Sequence, residues 1–194
     1  MSIDWKDRTD GKTEKIPFDY KLTMQDNVKI ISDWMKSYNQ KYDIRYIVMY
    51  HAAKNTASVL EKGLLPGNKS RRNFGMSKSG YVYLAVTPVI AKTFGDMAHN
   101  GSYVIYEVIV PVGKLLPDTG RLQHTTPEGI KGRGLVHSLV YAGSARVKGN
   151  IERWQIKRYD EKLSLMAQVE KGKQKAKAHS PPDENLKKST ERSW

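Results

Sequence analysis

Apolar positions recur along this chain in two periods, and the switching between them predicts an alternation of helices and strands. Val28, Ile31, Trp34, Met35 and Tyr38 stand three or four apart, which lays one stripe along a helix running from Thr23 to near Asn39. A Trp and Met stripe at that spacing is core packing rather than a cofactor pocket. Residues 45–51, RYIVMYH, are apolar, β-branched or aromatic almost throughout, as a central strand covered on both faces would be. Asn55 or Thr56 then caps a short helix through Val59, Leu60 and Lys62, and Gly63 suits the left-handed position that ends it. Residues 81–86 form a second strand. Thr87 and Pro88 open a helix that runs to about Phe94, with Gly95 to terminate it.

Residues 102–111 alternate as a long strand with both faces covered, and residues 112–134 follow as a long polar loop in which His124 is a surface residue. Residues 135–141, LVHSLVY, and 145–156, ARVKGNIERWQI, read as two more strands separated by Gly143. A short amphipathic helix is expected past Tyr159, through Leu163 and Met166. Three segments result: an irregular arm over 1–20, broken by Pro17 and able to pack through Trp5 or Phe18; one domain over 21–166, with its motif core at 45–157; and a disordered basic tail over 167–194.

Charge adds a partner class. The 194 residues carry a formal net charge of +13, which attracts polyanions such as nucleic acid or nucleotides, although a solvated Lys-rich surface accounts for the same excess. With no cysteine, disulfides, thiolate zinc sites and Cys nucleophiles are excluded, and a reducing compartment is the expectation. No run approaches the roughly 18 apolar residues that cross a bilayer, and the N-terminus lacks a signal-peptide core, so the expected location is the cytoplasm, with no membrane partner. Five scattered histidines without HxxxH spacing suggest no metal, and no GxSxG elbow is present.

Between the first two strands runs a glycine-rich basic loop over 66–80. Lys69, Arg71 and Arg72 could bring cations to a phosphate or an acceptor there, although no P-loop spacing occurs and a solvated basic loop fits as well. That leaves a strand-borne His51, a strand-borne Tyr83, and the polar pair His137 and Ser138 interrupting an apolar run.

In order and spacing, this set resembles the ADP-ribosyltransferase superfamily, in the His, Tyr, Glu branch that includes poly(ADP-ribose) polymerase catalytic domains. The matching features are His51 at a strand end, Gly63-Leu64 closing a helix, a variable loop, Gly80 before Tyr83-Leu84-Ala85, and Thr87 followed by Ala91 and Phe94. They span residues 46–111. The resemblance implies an α+β fold with a split antiparallel sheet, short flanking helices, and NAD as substrate in the cleft between the sheet halves. It implies that His51 bonds the adenosine ribose and Tyr83 stacks on nicotinamide, with Tyr81, Tyr50, Ala52 and Thr87 supporting the pocket.

The family's Glu, which stabilises positive charge at the anomeric carbon, has no counterpart. Aligning 135–147 with its strand puts His137 at that position, or Ser138 if the register slips by one, and neither supplies a negative charge. Glu107 and Glu128 are carboxylates able to substitute, but neither stands at a motif position. Three readings stay open. One is transfer of ADP-ribose to a macromolecular acceptor, nucleic acid slightly ahead of protein. The others are an enzyme similar to RNA 2'-phosphotransferases and an inactive member that binds nucleotide or nucleic acid.

Overall fold

A computed structural model of the chain describes residues 5–38, 45–54, 57–67, 77–127 and 134–161. The chain divides into two compact units, Met1–Tyr159 and Asp160–Trp194, and the architecture below is that of the first. The helix expected past Tyr159 and the basic tail lie outside the described residues, apart from Asp160 and Glu161.

The fold is mixed α+β: seven strands in one sheet, with short helices around it. The order is β5-β6-β3-β2-β4-β7, where β2 is Tyr46–Ala53, β3 Tyr81–Ala85, β4 Val104–Pro111, β5 Leu116–Pro117, β6 Ser144–Lys148 and β7 Ile156–Arg158. These neighbours are all antiparallel. The first strand, β1 (Thr13–Lys15), instead runs parallel to β2. Strand alternation divides the core in two. Ile47, Met49, Val82, Leu84, Val108, Ala145 and Val147 fill one cluster, into which Ile31 and Leu139 pack. Val48, Tyr50, Ala85 and Ile109 face a second one, covered by Trp5 and by Ala91.

The N-terminal segment is not the irregular arm its composition suggests. It forms α1 (Trp5–Thr9) and β1, because Trp5 is buried and donates its indole N–H to the Trp154 carbonyl at 3.0 Å. Glu14 on β1 accepts from the Trp34 indole and the Tyr38 hydroxyl and pairs with Arg45, which ties β1 to the helix that follows. That helix, α2 (Met24–Lys36), has the expected Thr23 cap, reinforced by a reciprocal bond from Asp26.

The next helix, α3 (Ala57–Lys62), ends at Gly63, whose φ of +82° is the left-handed value expected of it; its expected caps Asn55 and Thr56 lie outside the described residues. The fourth, α4 (Pro88–His99), opens as expected on the Thr87 hydroxyl but runs on through Gly95 to Asn100, which takes the left-handed cap. Gly95 is needed for packing rather than termination: a Cβ there would stand 2.6 Å from the Tyr103 ring.

Three expectations fail C-terminal to β4. The loop foreseen over 112–134 contains β5 and a helix, α5 (Thr119–Thr125), capped by Asp118. Residues 135–141 are helical, not a strand: α6 (Leu135–His137) continues as a π-helical turn, Ser138–Ala142, closed by Gly143 at φ +62°. A short apolar run looks the same in either state, and here Leu139 and Val140 bury one helical face. The strand foreseen over 145–156 is also broken: β6 ends at Lys148, and a turn and a short 3₁₀ helix, Arg153–Gln155, precede β7.

Candidate functional site

The edge of β2 is shared between two strands. Residues 46–48 pair with β1, and Tyr50 alone pairs with β3, opposite Ala85. On its other side β2 pairs with β4 along its whole length, from Tyr46 to Ala53. Beyond Tyr50, therefore, the sheet parts between β2 and β3. His51 stands at that parting.

The Nδ1 of His51 lies 2.8 Å from the Tyr83 carbonyl oxygen. A carbonyl only accepts, so Nδ1 carries the proton and Nε2 keeps its lone pair. His51 is half-buried, and burial holds its pKa below the usual imidazole value of 6.5; the Tyr83 carbonyl opposes this shift and His99 adds to it. His51 therefore meets Tyr83 through the main chain, not ring to ring.

Tyr81, Tyr83 and Ala85 share one face of β3 and pair with Lys148, Arg146 and Ser144 of β6. On this face lies an open cleft, about 90 Å³ in volume, lined by Ser77, Tyr83, Phe94, Met97, Asp118, Arg121 and Ser144. Tyr83 is half-buried in its wall, and its hydroxyl accepts from the Lys78 amide at 2.7 Å. Phe94 carries the Arg121 guanidinium over its ring at 4.5 Å, while Arg121 Nε donates to the Ala142 carbonyl. The two contacts together fix the guanidinium plane.

Asp118 brings a carboxylate into this cleft. It is 7% exposed, its Oδ1 accepts from the Arg121 amide, and its Oδ2 accepts from Ser144 Oγ at 2.9 Å. Ser138, fully buried, accepts from the Asp118 amide and donates to the Ser144 carbonyl, both at 2.7 Å. This network holds Asp118 and Ser144 in place from behind.

Of the residues singled out from sequence, the structure thus joins His51 to Tyr83 and puts Tyr83 in the cleft wall. Tyr81 lies next along β3, with the Arg146 guanidinium over its ring at 4.4 Å. Tyr50 is buried, edge-on to Tyr159, and Ala52 is half-buried on β2 beyond the parting. Thr87 is occupied as the α4 cap and in a bond with the Tyr20 hydroxyl.

The strand expected to carry His137 and Ser138 is the part that needs correction: both lie in the helical segment 135–142, where His137 stacks on Tyr141 and Ser138 is engaged in the network above. Glu107 pairs with Lys157 at 2.9 Å. Lys69, Arg71, Arg72 and Glu128 lie outside the described residues. The residues missed from sequence are Asp118, Arg121, Ser144 and Arg146. The DTGR run at 118–121 did carry a signal, a capping Asp before a helix, which the loop reading hid.

Among the described residues no three His, Asp or Glu side chains gather as a metal site, and no helix is long and apolar enough to cross a membrane. Compared with known proteins, the chain matches no protein-family model and no curated protein.

Proposed function

We propose that this protein is an NAD-dependent ADP-ribosyltransferase, with the dinucleotide held along β3, between His51 at the parting from β2 and the cleft that Tyr83 lines. One observation carries the reading. At the parting, the two residues expected to hold NAD, His51 and Tyr83, are bonded to each other, and Tyr83 also lines a cleft that contains a buried carboxylate, Asp118. The support is geometric, and the roles follow from residue chemistry.

The Tyr83 ring stacks on nicotinamide, a planar group against a planar group. Nε2 of His51, free of the proton that Nδ1 carries, accepts from a ribose hydroxyl. Asp118 supplies the negative charge that His137 and Ser138 lack, held by Ser144 and by the Arg121 amide so that no reorganisation is needed as charge develops. In the reaction the glycosidic bond breaks and its electron pair leaves with nicotinamide. A lone pair of the acceptor forms the new bond to the anomeric carbon, and the acceptor gives up its proton. The net charge of +13 favours a nucleic acid acceptor over protein.

The test is incubation of the full chain with labelled NAD and with RNA, DNA or protein, following nicotinamide release and label transfer. Release with transfer to nucleic acid is expected. Release only with RNA bearing a 2'-phosphate, yielding a cyclic phosphate product, would replace this reading with the phosphotransferase. NAD binding with no release under any condition would leave an inactive binder.

A further inference from the structure

We infer that Arg146 is the base of a phosphate-binding subsite beside Tyr83. Arg146 is 9% exposed, and neither its Nε nor its Nη1 has a hydrogen-bond partner. Among the described residues no carboxylate pairs with it. Buried polar groups almost always find a partner, and two buried guanidinium nitrogens left without one are a costly exception for a fold to retain. The residue is held in place nonetheless, on a strand paired on both sides, with its guanidinium stacked over the Tyr81 ring at 4.4 Å. Its environment lacks an acceptor rather than a position.

The surroundings indicate which acceptor. Arg146 pairs across the strands with Tyr83, and Lys148, next on the same face, pairs with Tyr81. Two cations on one strand thus lie opposite two aromatic rings on its neighbour, about 4.8 Å away. A ligand with a flat ring and a phosphate fits that pattern: the ring lies on Tyr83, and phosphoryl oxygens accept from the Arg146 guanidinium once it turns from the Tyr81 ring, since its Nε and Nη1 are enclosed in the unliganded arrangement. The phosphate is either the pyrophosphate of a dinucleotide or a backbone phosphate of an acceptor. Only its identity as the dinucleotide pyrophosphate rests on the NAD reading; the subsite itself does not.

The experiment measures binding of inorganic pyrophosphate, ADP-ribose and a short single-stranded RNA to the full chain, by calorimetry and by shift of the thermal midpoint, for wild type, Arg146→Lys and Arg146→Met. At least one phosphate ligand should bind wild type and lose about 10- to 100-fold in Arg146→Met, with a smaller loss in Arg146→Lys. Without ligand, Arg146→Met should melt no lower than wild type, because the unpaired buried charge is gone. Loss confined to ADP-ribose and pyrophosphate identifies the dinucleotide as the source; loss confined to RNA identifies the acceptor. The inference is overturned if wild type binds none of them, or if all bind Arg146→Met equally well. Should Arg146→Met fail to fold, the Arg146→Lys affinities decide alone, and unchanged values overturn it. Binding of ADP-ribose without any nicotinamide release from NAD keeps the subsite and removes the transferase.

Discussion

His51 donates its Nδ1 proton to the main-chain oxygen of Tyr83 at 2.8 Å, so an imidazole occupies a place on the β3 edge that a strand amide would otherwise take. Continued pairing of β2 with β3 beyond Tyr50 would close the parting, and its absence leaves each strand free to present side chains there. The bond also sets the tautomer. Sheet geometry and the chemistry proposed for His51 therefore depend on one contact.

Protonation of Nε2 should cost stability, because it charges a buried ring, while leaving the Nδ1 bond in place. The folded pKa of His51 lies below 6.5, so the unfolded chain takes up the proton first as pH falls. Stability from this group is complete above about pH 6.5 and is lost as pH drops toward the folded value. Thermal midpoints of wild type should decline over that window more steeply than those of His51→Gln. Parallel profiles would show that His51 is not held neutral by the fold.

NAD binding should depend on the same ring. His51→Ala removes the ribose acceptor and is expected to abolish NAD binding while leaving the helical circular dichroism unchanged. Unaltered affinity in this variant would refute the assigned role.

Gly63 is a structural counterpart to these site residues. Its φ of +82° disfavours any Cβ, and a Cβ built there would stand 2.1 Å from the Ile151 carbonyl oxygen. The adjacent Leu64 amide donates to that same oxygen at 3.0 Å, so the two backbones cannot separate without losing the bond. Gly63→Ala should cost at least about 2 kcal/mol in urea denaturation.

The two residues that motif alignment placed at the catalytic position should behave differently from each other and from a catalytic group. His137 stacks on Tyr141 and is not among the residues lining the cleft, so His137→Ala should release nicotinamide at the wild-type rate. Ser138→Ala strands the buried Asp118 amide and the Ser144 carbonyl, and should destabilise the protein by about 1–3 kcal/mol in the same denaturation assay.

How legible each part was depended on whether its signal was local. The α2 stripe, the β2 run, the Thr87 cap and the left-handed Gly63 each follow from periodicity or from one residue's backbone preference, and each stands where the sequence predicts it. The run LVHSLVY was misread because an apolar stretch of seven has no period that separates strand from helix, and what decides it is the space that Leu139 fills in the core. In the N-terminal segment the packing of Trp5 and Phe18 is legible, whereas α1 and β1 are not, because their order comes from distant partners, Trp154 for Trp5 and Tyr46 for Thr13. Asp118 was hidden for both reasons. Its helix is short, and the Ser144 and Ser138 that hold it are 26 and 20 residues away.

Replacing Asp118 by Asn tests the carboxylate directly, because it removes the charge and leaves the scaffold. Asn caps a helix about as well as Asp, so its side-chain oxygen still accepts from the Arg121 amide. Its amide can donate to Ser144 Oγ, a hydroxyl that accepts as readily as it donates. The thermal midpoint should therefore shift by only a few degrees or less, a change of about 1 kcal/mol at most. NAD affinity should also hold, since positive charge at the anomeric carbon develops only as the glycosidic bond breaks. Nicotinamide release should fall on the order of a hundredfold, the scale of losing one pre-aimed electrostatic group. A fall in affinity with an unchanged turnover rate would make Asp118 a binding residue, and unchanged release would exclude it from the chemistry.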